Sequence, residues 1–391
     1  MVASEHAKGD KEGLQDCVCQ ALTIGILIAL IGTPLTFFNS EKVLSVVLKD
    51  GSPAMAYAKP YLLIRALAFL PSIISLIGFS AFRGILDTVT PVKISLFANL
   101  FNAILDPILI FTLAMGVPGA ALATLAAEII SAVAYLFLLR KEEIMKWNKV
   151  FKLPSWEKLE PLLKGGAALQ LRNVALNFCF LAVTRVTQSI DETGVAAAAH
   201  AMAVQTFNLG GFVLLALSTV AQTVIPNEMV VKLDEKSGRK IGGGTDAARA
   251  TINRLMTWGF ILCTALGAMQ MALLPLICKS TPLQEVRDAA FMPSTLASVF
   301  QIMNGLVFIG EGVMVGCGNF FMLSLSTIVA TLGCLQALRV FPKHYGVTGV
   351  WMGFGVFNSL RLTGVWLHQT RFGPFARRKI QHSSKNESKS S

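Results

Sequence analysis

Charge is scarce in this sequence, and negative charge scarcer still. Of 391 residues, 15% are charged, with 23 Asp and Glu against 34 Lys and Arg, while 53% are hydrophobic. Soluble domains carry about a quarter of their residues as charge, so this composition excludes an ordinary soluble protein and points to one that crosses a membrane. There are only five histidines, and the seven cysteines, at positions 17, 19, 179, 263, 278, 317 and 334, show neither a disulfide framework nor a zinc spacing. Cys17 and Cys19 are close in sequence, but two residues apart on a helix means different faces, so all seven read as small packing residues. The GxSxG, Walker and HExxH patterns are lacking, and Gly242-Gly243-Gly244 has no following lysine and no preceding strand. No enzymatic activity, no ATP-driven mechanism and no cofactor are therefore expected.

What the sequence does have is long apolar runs. They cover about 14–38, 56–82, 93–115, 118–140, 163–189, 194–225, 251–279, 290–315, 320–341 and 347–369, each near the roughly 20 residues that a spanning helix requires. Ten crossings put both termini on one side. With those termini inside, the inner segments hold 23 Lys and Arg and the outer loops seven, while Arg65, Arg172, Arg185 and Arg361 lie within the apolar runs. Cytoplasmic loops carry this excess, so the termini and the stretches 140–164 and 226–254 are expected on the cytoplasmic or stromal side. The net charge of +11 is a consequence of this topology. It does not imply nucleic acid, because the basic residues are spread over several loops without interleaved aromatics. Residues 1–13 are polar with no cleavage pattern after the first apolar run, and the Ser- and Lys-rich tail at 370–391 is expected to be disordered and cytoplasmic.

Two signals recur. Gly84 closes one helix, and Gly116-Val117-Pro118-Gly119 opens another 32 residues later; Gly316 closes a later helix, and Gly346-Val347-Thr348-Gly349 follows after 30. The chain is thus expected to be all-α and duplicated: a first lobe at 1–140 with four helices, a linker at 141–162 and a second lobe at 163–369 with six. Internal repeats of this kind are typical of secondary transporters. From about Leu162 to Gly346 is 184 residues but from Met1 to Gly116 only 115. The difference of 69 equals two helices with their connections, which are expected to be absent from the first lobe.

Asp106 is the most informative residue. A carboxylate at membrane depth costs roughly 2.5–3.5 kcal/mol on insertion scales, so one that persists faces a cavity, a partner or an ion. Asn99, Asn102 and Asp106 are spaced i, i+3, i+7 and share a helical face. Pro107 frees the carbonyl of Ala103 beside that carboxylate. The next segment carries Thr124, Glu128 and Ser131 at i, i+4, i+7, and the helix rise places Thr124 and Asp106 at similar depth, roughly 9 and 13 Å from the connecting turn. Carboxylate, amide, hydroxyl and carbonyl oxygens together suit Na⁺, and the same carboxylate can carry H⁺ instead. The plainer alternative is a polar network gluing two helices, which accounts for Asn and Thr but not for Asp106. In the second lobe the candidates are Glu311, with Gln301 and Asn304 on its helix, Gln205 with Asn208, Asn177 with Gln170 and Asn173, and His200 as a proton relay or a packed histidine. Arg172 and Arg361 read as structural residues whose side chains snorkel from near the helix ends.

The pattern resembles the multidrug and toxic compound extrusion (MATE) transporters, in particular the branch similar to DNA-damage-inducible protein F and its plant and algal relatives. The resemblance rests on Ala3-x5-Gly9-Asp10-Lys11-Glu12, Arg83-Gly84-x2-Asp87-Thr88-x-Thr90-Pro91, Asn102-x3-Asp106-Pro107, Gly116-Val117-x-Gly119-Ala120-Ala121-x-Ala123-Thr124, Ala199-His200-x4-Gln205 and the ending from Arg361 to Gly373-Pro374. It implies a monomeric antiporter of twelve helices in two six-helix lobes, embedded in a lipid bilayer and exporting organic cations, drugs or carboxylates against H⁺ or Na⁺ by alternating access. Asn102, Asp106 and Thr124 then look like a first-lobe cation site, completed by an acid on the first helix, which this sequence lacks. Leu215 stands where the family has Asp, Glu311 and Asn319 replace two further Asp residues, and Glu128 replaces a Gln, adding a carboxylate roughly one turn from Thr124 that would couple with Asp106 if the two were close. The rival readings are a truncated or spliced membrane protein that does not transport, and a lipid flippase of related fold.

Overall fold

The computed structural model describes residues 2–45, 55–151, 156–233, 240–279 and 281–375. The chain divides into two compact units, Met1–Ser155 and Trp156–Ser391. Nearly all of it is helical, as a lipid environment demands, because only a helix or a closed barrel satisfies every backbone N–H and C=O without water. The tail from 376 onward lies outside the described residues.

The first unit contains the short helix α1 (Val2–Lys8), α2 (Lys11–Phe38), short α3 (Ser40–Ser45), α4 (Met55–Leu67), α5 (Phe69–Gly84), α6 (Val89–Pro107) and α7 (Gly116–Lys141). Asp10 opens α2 by accepting from the Gly13 N–H at 2.9 Å, an ordinary N-cap. The apolar run 56–82, which reads as one helix, is in fact α4 and α5 meeting at a 51° bend. Pro71 explains it: with no N–H it leaves the Leu67 carbonyl without its i+4 donor, and its ring clashes there. Thr33 on α2 donates to the Ala66 carbonyl at 3.1 Å, tying the bend to its neighbour. The unit's core gathers Val18, Leu22, Phe82, Tyr135 and Leu139. The stretch that follows α7, expected to be part of a linker, is docked on α2: Gln15 donates to the Glu143 carbonyl at 2.7 Å, and the Phe151 N–H donates to Thr23 at 3.1 Å. Lys149 bonds Asp16 at 2.7 Å, and that hydrogen bond holds its ammonium above the usual lysine range.

The second unit contains α8 (Trp156–Gln188), α9 (Val195–Met229), α10 (Thr245–Cys278) and α11 (Gln284–Gly316), with a two-stranded antiparallel hairpin, β1 (Lys232–Leu233) and β2 (Lys240–Gly242), between α9 and α10. The run from Phe320 to Leu367 spans 48 residues, which as one straight helix would reach roughly 72 Å, far beyond the roughly 40–45 Å of a bilayer. It is two helices, α12 (320–345) and α13 (347–367), because Gly346 takes φ 54, ψ −133. Together with the bent pair as one span, this makes ten membrane-length helices among the described residues, four in the first unit and six in the second. The chain is an integral multi-pass membrane protein. Ser324 bonds the Ala168 carbonyl and Thr331 the Ala175 carbonyl; equal steps of seven on both helices mean that α8 and α12 run parallel, as a first and a fifth crossing must. Glycines let helices approach: a Cβ at Gly305 would strike Cys263, and one at Gly312 the Ser218 carbonyl.

The duplication is visible in the backbone. After α5, Leu86 N–H donates to the Arg83 carbonyl and Asp87 N–H to that of Phe82, both at 3.0 Å; after α11, Gly318 donates to Val315 and Asn319 to Met314, at 3.0 and 2.9 Å. Leu86 and Gly318 are both left-handed, at φ 65 and 73, as this helix ending requires. Gly116 and Gly346 are left-handed too, at φ 58 and 54. A Cβ at Gly119 would stand 2.9 Å from the Leu109 carbonyl, and one at Gly349 would collide with that of Phe341. Gly349→Ala is therefore expected to cost about 1–3 kcal/mol through overpacking, whereas Gly166→Ala, with open space around it, is expected to be neutral or slightly stabilising; thermal unfolding in detergent separates the two.

Candidate functional site

The stripe on α6 resolves into two residues. Asn102 and Asp106 are half-buried, one helical turn apart, and the Asn102 Nδ2 and Asp106 Oδ1 atoms are buried without a hydrogen-bond partner. Asn99, expected on the same face, is exposed, among the exposed Val92, Leu96, Phe97 and Leu100. Seven residues turn a helix by nearly two full turns but not quite, and the contact surface of α6 ends short of it. Below Asp106 the helix widens at Pro107 into a π turn, Ile108–Thr112, closed by the Leu113 N–H on the Ile108 carbonyl at 2.9 Å. Such π turns recur at functional sites.

Helix α7 is the neighbour expected across from this stripe, and its polar residues are engaged elsewhere. The Thr124 hydroxyl donates to its own helix at the Ala120 carbonyl, 3.0 Å away. Glu128, expected to couple with Asp106, instead receives both terminal nitrogens of Arg65 on α4, at 2.9 and 3.1 Å. This bidentate pair is about a quarter exposed and satisfies two charges that lipid would otherwise penalise. Asp106 is left without such a partner. Arg65 carried a signal that the sequence reading passed over: an arginine and a glutamate on separate apolar runs each need a counter-charge, and they are each other's.

In the second unit Glu311 is not solvated, and Arg172 and Arg361 do not snorkel. Glu311 and Arg361 are each 5% exposed. Arg361 donates through Nε and Nη2 to the two Glu311 oxygens, both at 2.8 Å, while Arg172 donates to Oε2 at 2.5 Å. Phe308 and Phe357 cover the Arg361 guanidinium at 5.6 and 5.2 Å, a cation–π arrangement. Three charged residues on α8, α11 and α13 can meet one another inside the unit, which costs less than separate burial. With both oxygens bonded to guanidinium groups, Glu311 is not available as the second-lobe cation ligand expected of it.

The remaining second-lobe candidates scatter. Gln205 and Asn177 are exposed, and the Asn177 amide donates to the Asn173 carbonyl at 2.9 Å. His200 borders a small cleft with Phe207, Trp351 and Phe354, its ring centroid 5.9 Å from that of Trp351. Its Nδ1 atom and the Trp351 Nε1 atom are buried without a partner. Gln301 and Asn304 are almost wholly buried in α11, with Gln301 donating to the Phe207 carbonyl at 2.9 Å.

A family model described as MatE matches residues 1–108. The chain is 26% identical over 363 residues to Protein DETOXIFICATION 43 of Arabidopsis thaliana, covering 91% of this chain and 65% of that protein. It is 28% identical over 326 residues to Protein DETOXIFICATION 44, chloroplastic, of the same organism, covering 83% and 59%. DNA damage-inducible protein F of Escherichia coli (strain K12) is 26% identical over 364 residues, covering 90% and 74%. The chain thus spans about three fifths to two thirds of the length of the two plant relatives. A crystal structure of MATE in the bent conformation superposes with a TM-score of 0.82 at 19% identity, covering 97% of this chain and 83% of that one. The fold is that of this MATE structure.

Removing Arg65 strands Glu128 in the membrane. Arg65→Leu is expected to destabilise by roughly 1–3 kcal/mol, less than the roughly 3–5 of a fully buried pair. Adding Glu128→Gln is expected to restore most of that loss, which a double-mutant cycle in detergent would read.

Proposed function

We propose that this chain, a MATE-family homologue in sequence and fold, is a secondary active antiporter that exports organic compounds in exchange for H⁺ or Na⁺. Alternating access is the mode of operation, drug-like cations, metabolites or carboxylates are the cargo, and the Lys- and Arg-rich side holds both termini.

The observation that supports this is the unpaired Asp106. Glu128 and Glu311 have arginine partners, and a charge so neutralised has little reason to bind an ion. Asp106 has a buried carboxylate oxygen with no hydrogen bond, one turn from the equally unbonded Asn102 amide. Binding H⁺ removes the charge that lipid penalises; binding Na⁺ neutralises it. Either event changes the free energy of α6 inside its unit, and an ion coupled to a conformational equilibrium acts only through such a difference. The Asn102 amide supplies a polar neighbour for the occupied state, the Ala103 carbonyl is freed by Pro107, and the π turn Ile108–Thr112 follows directly beyond Pro107.

Proteoliposomes loaded with ethidium or citrate and given an H⁺ or Na⁺ gradient test the proposal. Asp106→Asn is expected to lower gradient-driven efflux at least tenfold while leaving the thermal unfolding midpoint within a few degrees of wild type; Asn102→Ala is expected to lower it less. Undiminished coupling in Asp106→Asn removes that residue from the mechanism. Absence of gradient-driven efflux from the wild-type chain, for every probe tried, removes the antiporter reading.

A further inference from the structure

We infer that the second unit holds a small monovalent anion of the halide class beside Arg172, Glu311 and Arg361. The inference does not depend on the transport reading, which rests on the first unit. Its basis is an imbalance. Two guanidinium groups share one carboxylate, leaving one positive charge over, and no second carboxylate among the described residues forms an ion pair with either arginine. From α11 and α13, Phe308, Phe357 and Asn358 touch the Arg361 guanidinium, and none of the three carries a negative charge. Buried charges in lipid are neutralised by a partner, and here the partner is one short.

The hydrogen-bond inventory points the same way. A guanidinium offers five N–H donors and accepts nothing. Arg361 commits Nε and Nη2 to Glu311 and Nη1 to the Asn358 side-chain oxygen Oδ1 at 3.4 Å. Arg172 commits Nη2 to Glu311, while its Nε is buried and unbonded. The Asn358 amide nitrogen, on a residue that is 0% exposed, is buried and unbonded as well. Both unmet groups are donors, and they flank a site with a surplus positive charge. A cation is repelled there and finds no free oxygen on Glu311. An anion satisfies the donors and the charge together, as backbone and guanidinium donors do elsewhere. The burial of Glu311, Arg361 and Asn358 favours a monatomic ion over an organic acid, and the Arg172 side chain, 20% exposed, provides the way in. An ion held there ties α8 to α11 and α13, so its occupancy is read as stability of the second unit.

The test uses the full chain purified in detergent, with sodium chloride exchanged for sodium gluconate at constant ionic strength and the thermal unfolding midpoint recorded. Wild type is expected to show a saturable rise with chloride. Arg172→Gln leaves one arginine on one carboxylate, a neutral pair, and is expected to abolish that rise. Glu311→Gln leaves two unopposed guanidinium groups and is expected to respond at chloride concentrations at least tenfold lower. Should Glu311→Gln not fold, Asn358→Leu, which removes a donor but no charge, is expected to require at least tenfold more chloride. General salt effects would move all variants alike. Superimposable chloride and gluconate series in wild type overturn the inference, leaving water on the two donors; so does a chloride response in Arg172→Gln with the wild-type midpoint.

Discussion

A bilayer offers no hydrogen bonds, and the rest of this structure follows from that. The backbone is obliged to be helical. Each charged side chain at membrane depth has to find a partner within the protein or be able to shed its charge. In the first unit Glu128 takes the former course with Arg65, and in the second Glu311 takes it twice over. Asp106 forms no ion pair among the described residues, and one of its carboxylate oxygens is buried without a hydrogen bond. The same constraint that makes the arginine pairs structural therefore makes Asp106 chemically available, and the difference lies wholly in what stands opposite each carboxylate.

The two units solve a common problem with different residues. Both end a helix in the same doubly bonded turn, with Leu86 in one and Gly318 in the other at the left-handed position. Leucine is strained in that conformation and glycine is not, so shared hydrogen bonding and not residue type has kept the turn alike. After the turn they part. Asp87 accepts from the N–H groups of Val89 and Thr90 at 2.9 and 3.0 Å; the Thr90 side chain, and after it these backbone donors, hold its carboxyl below the usual range. Asn319, in the corresponding place, turns its amide to His368 at 2.8 Å. Charge is likewise divided unevenly: among the described residues the first unit pairs Glu128 with Arg65 and gives Asp106 no ion pair, and the second sets Glu311 against two arginines.

The ten crossings were legible because hydropathy and length are local properties, and the repeat because glycines at left-handed or tightly packed positions cannot be replaced freely. The bend between α4 and α5 was not read, although Pro71 marked it, because both sides of the proline are apolar and the run looks continuous. The docked stretch after α7 reads as a linker from sequence because its contacts, Gln15 with Glu143 and Thr23 with Phe151, join residues 128 positions apart. The polar stripes were half legible. Helical spacing correctly joined Asn102 to Asp106, but it also included Asn99, since periodicity says which residues share a face and not how wide the packed face is.

By itself the sequence determined that this protein is a helical, duplicated membrane protein with a carboxylate in an otherwise apolar span, because those facts depend on residue type and spacing along one segment. Which charges are neutralised was decided by tertiary structure alone. Arg65 lies 63 residues from Glu128, and Arg172 and Arg361 lie 139 and 50 from Glu311; pairing at such separations depends on which helices pack together and at what rotation. That rotation sets Glu128 and Glu311 against guanidinium groups and leaves the Asp106 oxygen without one.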